Sequence, residues 1–373
     1  MKLRTVDGID VRGRRVVLRA GLNVPIVGGR VVDDFRLSRA ARTIQYLSDK
    51  GAKVTLLSHV GRDGESVRPV MLALAAHVPS VRMRMFEGSP HDALPEISKL
   101  QDGEVLVLEN MRRFEGEQTN DPGFASILAS FGELYVNDAF ADAHRTHAST
   151  FGIAKLLYSV AGMLMVEEVA KLSEALLPPH PSVAVIGGAK FETKEPLIER
   201  LVDTYDRVCV GGAIVNDFFK AKGYGVGVSM TSTSTMTRHL RDHPRIELPI
   251  DIVNATDDTT RISAPQETQA YERISDAGPQ TGRRWAKHVE EAKFVLMNGP
   301  LGIYEKGFNT ETERLARALA ESKAHAVVGG GDTIAALQKF NFDPERIFLS
   351  TGGGAMLQFL ADGTLPALET LKQ

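Results

Sequence analysis

The sequence predicts an α/β fold made of two doubly wound parallel-sheet (Rossmann-like) domains joined by an interdomain helix. Short runs rich in valine, isoleucine and leucine alternate with helix-like stretches along the chain, the pattern of buried parallel strands and their crossover helices. The chain has 373 residues, more than a single hydrophobic core usually organises. A proline cluster near the middle separates two sets of such runs, which indicates two domains.

The two sets of predicted strands lead into different kinds of residue. In the first half the strands end near cationic residues; they are Arg15–Leu18, Lys53–Leu57, Val105–Leu108 and Leu134–Val136. In the second half they end at glycine-rich turns; they are Val183–Ile186, Val208–Val210, Phe294–Met297, Ala326–Val328 and Ile347–Leu349. Ligands of open α/β sheets bind at the carboxyl ends of strands, so the sequence predicts two sites of different chemistry.

A helical stripe lies between the two halves and is followed by prolines. Its apolar residues are Met163, Met165, Val166, Val169, Ala170 and Leu172, and the prolines are Pro178, Pro179 and Pro181. We therefore expect a first domain over residues 1–162, an interdomain helix over residues 163–177 and a second domain over residues 178–360.

Arginine, histidine and asparagine side chains follow the strands of the first half. The candidates are Asn23, His59, Arg62, Arg112 and Arg145. Guanidinium groups match carboxylates and phosphates with paired hydrogen bonds, so several of them on separate loops suit a small ligand with several negative charges. One surface arginine is usually only solvated; it is the repetition after successive strands that indicates an anion site.

Glycine runs follow the strands of the second half. They are Gly187–Gly188, Gly211–Gly212, Gly329–Gly331 and Gly352–Gly354. Without a Cβ atom, such turns let backbone N–H groups approach phosphate oxygens. Any one glycine pair is more often just a tight turn, but the repetition favours a polyphosphate site. Asp332 is then a candidate Mg²⁺ ligand, and Lys194 is placed to neutralise a transferring phosphoryl group.

The overall charge and the cysteine content limit the class of protein. A formal net charge of -3 gives no general attraction to nucleic acid. Cys209 is the single cysteine, which excludes an intrachain disulfide and a cysteine-based zinc cage. The sequence shows neither a signal peptide nor an apolar run long enough to cross a bilayer. We expect a cytoplasmic protein without a nucleic-acid or membrane partner.

Several ordered strings make the chain similar to the phosphoglycerate kinase family. In the first half they are Asn23-Val24-Pro25, Asp33-Asp34-Phe35-Arg36, Ser58-His59-Val60-Gly61-Arg62, Leu108-Glu109-Asn110-Met111-Arg112 and Tyr135-Val136-Asn137-Asp138-Ala139-Phe140. In the second half they are Gly187-Gly188-Ala189-Lys190, Asn298-Gly299-Pro300-Leu301-Gly302, Gly329-Gly330-Gly331-Asp332-Thr333 and Ser350-Thr351-Gly352-Gly353-Gly354-Ala355.

The resemblance implies a function and a set of site residues. The reaction would be reversible phosphoryl transfer between ATP and the carboxylate of 3-phosphoglycerate, giving 1,3-bisphosphoglycerate and ADP, after closure of the two domains. The glycerate would be held by Asn23, Arg36, His59, Arg62, Arg112 and Arg145. The nucleotide would be held by Lys194, Gly212, Glu305, Gly330, Gly331, Asp332 and Thr333, with Mg²⁺ at Asp332. Arg36, Lys194 and Gly353 would surround the transferring group. The resemblance also implies that a C-terminal tail over residues 361–373 packs on the first domain and that the enzyme is a monomer.

Some residues depart from the family pattern and leave alternatives open. Gly21 stands where the family has an aspartate that would accept a hydrogen bond from the substrate hydroxyl, which predicts weaker or altered substrate selection. Arg113 stands where phenylalanine is usual, and residues 225–266 match poorly and have no predicted structure. Three interpretations remain: a phosphoglycerate kinase, a related kinase for another small acid, or a non-catalytic nucleotide-binding protein.

Overall fold

The structure is a computed structural model that describes residues 1–62, 64–233 and 236–373. The chain divides into two compact units. Unit 1 comprises Met1–Ala170 with Thr364–Gln373, and unit 2 comprises Lys171–Gly363. The division therefore falls inside the segment 163–177 that the sequence marks as a connecting helix, and the C-terminal segment joins unit 1 from Thr364 rather than from residue 361.

In the described part of the chain, unit 1 contains eight strands and the first six α-helices. The strands are β1 (Arg15–Ala20), β2 (Ile26–Val27), β3 (Arg30–Val31), β4 (Lys53–Leu57), β5 (Met83–Phe86), β6 (Val105–Leu108), β7 (Leu134–Asp138) and β8 (Ser159–Ala161). The α-helices are α1 (Phe35–Asp49), α2 (Arg68–His77), α3 (Leu94–Ile97), α4 (Glu115–Thr119), α5 (Pro122–Ala129) and α6 (Met163–Leu176), the last of which continues into unit 2. Single-turn helices cover Val6–Gly8, Pro90–Asp92, Met111–Arg113, Phe140–Asp142 and Ile153–Lys155, and a π-helix covers Ala148–Gly152.

Six strands of unit 1 form one parallel sheet in the order β5-β6-β4-β1-β7-β8. Alternate residues of β1 point to opposite faces, as the strand period requires. Val16 and Leu18 belong to a core that includes α1 and α2, whereas Val17 belongs to a second core that includes α5. Helices thus cover both faces of the sheet, which makes unit 1 doubly wound.

Unit 2 contains a second parallel sheet of six strands. The described strands of unit 2, which include those of this sheet, are β9 (Ser182–Ile186), β10 (Arg207–Val210), β11 (Ile246–Glu247), β12 (Ile252–Ala255), β13 (Thr260–Ser263), β14 (Arg273–Ala277), β15 (Phe294–Asn298), β16 (His325–Gly329) and β17 (Ile347–Leu349). The parallel order is β11-β10-β9-β15-β16-β17. The helices are α7 (Glu195–Thr204), α8 (Val215–Ala221), α9 (Arg238–Arg241), α10 (Pro279–Glu291), α11 (Thr310–Glu321), α12 (Gly331–Leu337) and α13 (Gly354–Asp362), with single turns at Pro265–Glu267 and Tyr304–Lys306.

The predicted strands of both halves are confirmed, and so is the α/β class with two parallel sheets. An additional antiparallel sheet of order β13-β12-β14 was not predicted. It overlaps the poorly matching stretch 225–266, of which residues 234 and 235 lie outside the described part of the chain. Ile252 of β12 and Ile274 of β14 pack with Val215 and Phe219 of α8, so this small sheet has an apolar anchor on unit 2.

The C-terminal segment is held within unit 1 by backbone hydrogen bonds. Its helix α14 (Pro366–Glu369) begins with the amide of Ala367 donating to the carbonyl oxygen of Ala143 at 3.1 Å. Further on, the amide of Arg4 donates to the carbonyl oxygen of Leu371 at 2.9 Å. These bonds join the two chain ends in one unit.

Candidate active site

The cationic residues of unit 1 come together at the carboxyl edge of its sheet. Arg19 near the end of β1 lies opposite Leu57 of β4 on one side and Asn137 of β7 on the other. The loops that leave these strands therefore start side by side, and they carry the predicted glycerate residues.

Arg19 lies at the centre of this edge, although it is not among the residues predicted to hold the glycerate. Its side chain is fully buried, and Nε donates to Ser149 Oγ at 2.9 Å. Nη1 donates to the carbonyl oxygen of Ala20 at 2.6 Å, and Nη2 donates to His59 Nδ1 at 3.0 Å and to Asp142 Oδ2 at 3.2 Å. The guanidinium thus donates to protein atoms, and Arg19 holds the neighbouring side chains of the site in place.

Two buried carboxylates compensate part of the positive charge. Burial alone would raise the pKa of Asp142, but Arg19 and the other nearby cations outweigh it and hold that pKa below its ordinary value. Burial raises the pKa of Glu117, whose carboxylate accepts hydrogen bonds from the amide and the hydroxyl of Ser149 at 2.9 and 2.6 Å. Asp142 is thus an ionised partner for the arginines.

Asn23 links three of the other predicted residues. Its Oδ1 accepts a hydrogen bond from the amide of Gly61 at 3.0 Å, and its carbonyl oxygen accepts one from Arg36 Nη1 at 2.6 Å. Arg112 Nη1 donates to the carbonyl oxygen of Gly61 at 2.7 Å. Arg62 follows Gly61 directly and is exposed to solvent. Asn23, Arg36, Arg62 and Arg112 therefore belong to one connected cluster.

Arg145 lies on the other side of this cluster. Its Nη1 is 3.8 Å from Asp142 Oδ1, and its Nε is 3.3 Å from Nε2 of His144. Since Asp142 also contacts Arg19 and His59, all six residues predicted to hold the glycerate are gathered at the same edge of the sheet.

His59 is neutral in this environment. Burial, with help from Arg19, lowers its pKa to about 3. Because a guanidinium can only donate, Nδ1 of His59 accepts the bond from Arg19, which places the ring proton on Nε2. Nε2 is buried and has no hydrogen-bond partner among the described residues, so it is an unsatisfied donor within the cluster.

The low pKa of His59 predicts a specific loss of stability in acid. Between pH 6.5 and about 3 the unfolded chain binds a proton at this ring that the folded chain does not bind, so stability falls as the pH falls. Over that range His59→Gln should flatten the pH dependence of the unfolding free energy by up to about 1.4 kcal/mol per pH unit. Urea unfolding of both proteins at several pH values measures this; parallel curves would contradict it.

In unit 2 the buried amine of Lys194 joins two glycine-rich turns. Lys194 is 6% exposed, and Nζ donates to the carbonyl oxygen of Gly187, to the carbonyl oxygen of Asn298 at 3.3 Å and to Asn298 Oδ1 at 3.0 Å. Burial lowers its pKa to about 8. At neutral pH most molecules therefore carry a poorly hydrated cation here, which interacts strongly with a nearby anion.

The turns are packed so closely that two of their glycines have no room for a side chain. At Gly212, which has a φ of +62°, an added Cβ atom would lie 2.4 Å from the amide nitrogen of Gly188. At Gly299, with a φ of +89°, it would lie 2.5 Å from the carbonyl oxygen of Gly187 and 2.9 Å from Lys194 Nζ. Backbone thus forms this part of the surface, as the glycine runs predicted.

A cavity of about 490 Å³ opens beside these turns. Three of the predicted nucleotide residues line it, namely Gly212, Glu305 and Asp332. Lys194 is buried next to Gly188, another lining residue, and Thr333 Oγ1 accepts a hydrogen bond from the amide of Gly299 at 3.0 Å. The remaining predicted residues, Gly330, Gly331 and Gly353, stand at the starts of α12 and α13.

Asp332 is the predicted metal ligand. Partial burial, together with the carboxylate of Glu305, raises its pKa above the ordinary value. Among the described residues there is no group of three or more histidine, cysteine, aspartate or glutamate residues that would hold a metal ion by itself. An exposed carboxylate at the cavity wall fits Mg²⁺ that is also bound by phosphates and water, the usual manner for this ion.

Comparison with known proteins decides the family. The family model described as phosphoglycerate kinase matches residues 6–363. The chain belongs to the phosphoglycerate kinase family. The phosphoglycerate kinase of Rubrobacter xylanophilus is 39% identical, with 100% of this chain and 99% of the relative aligned, and that of Thermus thermophilus is 39% identical with 99% and 100% aligned.

Solved structures agree with this assignment. The phosphoglycerate kinase of Coxiella burnetii superimposes with a TM-score of 0.81 at 35% identity, covering 99% of this chain and 98% of that one. The phosphoglycerate kinase of Pyrococcus horikoshii gives 0.86 at 28% identity with the same coverage. The predicted family, fold class and phosphotransferase activity from ATP to a carboxylate are therefore confirmed.

Several residues on which the site of this family member depends were not predicted from the sequence. Arg19, Asp142 and Glu117 are buried beneath the predicted acid-binding side chains and hydrogen-bond within the protein, and Asn298 accepts a hydrogen bond from the amine of Lys194. Arg19 and Asn298 lie at the carboxyl ends of predicted strands, and this position could have marked them as site residues. Asp142 and Glu117 lie in short helices. Only the fold makes Asp142 a partner of Arg19 and Glu117 a partner of Ser149.

Proposed function

We propose that the chain catalyses reversible phosphoryl transfer between ATP and the carboxylate of 3-phosphoglycerate. The observation that supports the proposal most is a pair of arrangements in one chain: six polar and cationic side chains gathered in unit 1, and a buried lysine beside a glycine-lined cavity in unit 2. The first suits a small phosphorylated acid and the second a nucleoside polyphosphate.

In the proposed mechanism, unit 1 binds the acid. Arg62, Arg112 and Arg145 supply charge to its phosphate and carboxylate, His59 donates from Nε2, and Asn23 orients Arg36. Because His59 is neutral, the arginines provide the positive charge. Positioning of the carboxylate oxygen for in-line attack is the main contribution of this unit.

Unit 2 binds the nucleotide in the proposal. Gly212 and Glu305 contact its base and ribose, and the turn Gly330–Thr333 faces its phosphates. Mg²⁺ would be held by Asp332 and the phosphates, and when bound it would neutralise phosphate charge. Lys194, with Arg36 and the amide of Gly353, stabilises the charge of the transferring group without a covalent intermediate. Closure of the two units would bring donor and acceptor together.

We also propose a monomeric, cytoplasmic enzyme that has no nucleic-acid partner. The single cysteine, Cys209, which is buried, supports a reducing, cytoplasmic environment. The net charge of -3 supports the lack of nucleic-acid binding. Among the described residues, none of the helices combines the length and the apolar character needed to cross a membrane. Sedimentation of the purified protein tests the monomer.

A coupled assay of ADP production with MgATP and 3-phosphoglycerate tests the proposed reaction. Turnover should require both substrates and magnesium, and it should exceed turnover with other small phosphorylated or carboxylic acids in a panel. Faster turnover of another acid would contradict the proposed substrate while leaving the kinase family unaffected.

Gly21→Asp should improve the use of 3-phosphoglycerate. An added Cβ atom at Gly21 would lie 3.5 Å from Ala139 Cα, an ordinary contact, so the backbone accepts a side chain. The family resemblance implies that an aspartate here accepts a hydrogen bond from the substrate hydroxyl. Restoring one such bond should lower the KM for 3-phosphoglycerate about fivefold.

The control for this variant is Gly21→Ala, which adds the Cβ atom without a carboxylate. Steady-state kinetics of the two variants separate the effect of the acceptor from that of bulk. An equal KM in Gly21→Asp and Gly21→Ala would show that the missing carboxylate does not limit substrate binding.

A further inference from the structure

The loop between β4 and α2 carries Arg62, and the segment after β6 holds this loop. Asn110 Nδ2 donates to the carbonyl oxygens of Val60 and Glu65, both at 2.7 Å. Arg112 Nη1 donates to the carbonyl oxygen of Gly61 in the same loop at 2.7 Å. An exposed arginine in a loop points in a defined direction only if the loop backbone is fixed, so these contacts matter for anion binding.

Arg113 makes a further contact with the same loop. Its Nε donates to the carbonyl oxygen of Gly64 at 2.5 Å, and its Nη1 donates to Glu109 Oε2 at 2.9 Å. A Cβ atom added at Gly64 would lie 3.0 Å from Arg113 Cγ, so the stem of the arginine packs directly against the loop backbone. Gly64 also has a φ of +82°, a conformation that favours glycine.

Glu109 continues the connection from Arg113 to the far end of the loop. This carboxylate is 3% exposed and accepts hydrogen bonds from Ser66 Oγ at 2.9 Å and from the amide of Val67 at 3.0 Å. A buried carboxylate is costly unless it is paired and hydrogen-bonded. Arg113 provides the ion pair, and the loop provides hydrogen bonds. Arg113, Glu109 and the loop therefore stabilise one another.

We propose that Arg113, acting through Glu109, is a positioning residue that fixes the described loop residues 60–62 and 64–67 and thereby holds Arg62 for the anionic substrate. The guanidinium of Arg113 already contacts Gly64 and Glu109, so it acts through the loop rather than as a ligand of the substrate. The inference rests on the proposed function, since it assigns Arg113 to the binding of 3-phosphoglycerate.

The kinetic test compares Arg113→Met with Arg84→Met. Arg84 is a matched control because it also pairs with a glutamate, Glu96, at 2.8 Å and also donates to a backbone carbonyl; its side chain is 39% exposed and that of Arg113 is 41% exposed. Arg113→Met should raise the KM for 3-phosphoglycerate about fivefold, with the KM for ATP unchanged. Arg84→Met should change neither. Arg113→Lys, which keeps the charge but lacks the fork, should restore part of the loss.

A double-mutant cycle with Arg62→Met tests whether the effect passes through Arg62. If it does, Arg113→Met should have little further effect on the KM for 3-phosphoglycerate once Arg62 is absent. Fully additive effects would overturn the proposal, as would an unchanged KM in Arg113→Met.

Hydrogen exchange of the free enzyme tests the loop without the substrate. Amides of residues 60–62 and 64–67 should exchange faster in Arg113→Met than in the wild type or in Arg84→Met, and equal protection in all three would overturn the proposal. If the wild type fails to turn over 3-phosphoglycerate, the proposed function fails, and the exchange experiment still decides whether Arg113 holds the loop.

Discussion

Lys194→Met is expected to lower kcat about a thousandfold, because it removes a cation directed at the transferring phosphoryl group. Lys194 is 6% exposed, and its charge is therefore little screened by water. The methionine retains the apolar stem and most of the volume, so the glycine turns should keep their packing and MgATP should still bind. Steady-state kinetics and calorimetric titration of MgATP measure the two quantities separately.

Lys287→Met serves as the control, since Lys287 is 71% exposed and pairs with Glu291 on the surface of α10. It should leave kcat unchanged. A kcat in Lys194→Met within tenfold of that of the wild type would show that the buried amine only holds the turns together and takes no part in the transfer.

The pKa of Lys194 gives this prediction a second measurement. With a pKa of about 8 in the free enzyme, the amine loses its charge as the pH rises through that value. The kcat/KM for ATP in the wild type should then decrease above about pH 8. Lys194→Arg keeps a permanent charge, so its smaller residual activity should not show this decrease.

Arg19→Met is expected to destabilise unit 1 by about 3–5 kcal/mol, the usual cost of removing one partner of a buried ion pair. The substitution leaves Asp142, which is 4% exposed, without its 3.2 Å partner, and it leaves Nδ1 of His59 without its donor. Since both residues belong to the acid site, the KM for 3-phosphoglycerate should also rise. Urea unfolding and kinetics of the surviving folded fraction measure the two effects.

Arg15→Met is the matched control for Arg19→Met. Arg15 lies on the same strand and pairs with Glu133 at 3.4 Å, but the two side chains are 40% and 49% exposed. Surface pairs of this kind contribute about 0–1 kcal/mol. Equal destabilisation by the two variants would contradict the central structural role given to Arg19.

Much of the fold could be predicted because its strands are buried on both faces. Val105–Leu108 and Val183–Ile186 are continuous apolar runs with no competing helical pattern, and both form central parts of parallel strands. The edge strand β5, by contrast, has the sequence Met-Arg-Met-Phe, and each of its residues is half-buried. The two-residue β11 is too short for any periodic signal.

The antiparallel sheet of unit 2 shows a different limit. Its strand β13 is Thr260–Ser263 and is mostly exposed, so no alternation of apolar and polar residues marks it. It forms because β12 pairs with it and packs on α8. Such tertiary pairing has no local trace in the sequence.

The side chains that follow strands could be predicted as site residues, and the buried carboxylates that compensate their charge could not. Arg112 and Arg145 could be found because cationic residues follow strands in a repeated pattern. The role of Asp142 could not, since a carboxylate in a short helix gives no sign that it will meet a buried guanidinium more than a hundred residues away in the chain. The role of Glu117 likewise depends on Ser149, which the fold brings next to it. The effect of Arg113 depends on Gly64 and Glu109 in the same way.

Trapping of the reaction product with hydroxylamine tests the central claim most directly, because hydroxylamine converts an acyl phosphate to a stable hydroxamate. With MgATP and 3-phosphoglycerate, we expect the wild type to form hydroxamate in amounts that match the ADP released, and Lys194→Met to form almost none. Release of ADP without hydroxamate would show that the phosphoryl group is not transferred to a carboxylate, and it would contradict the proposed function.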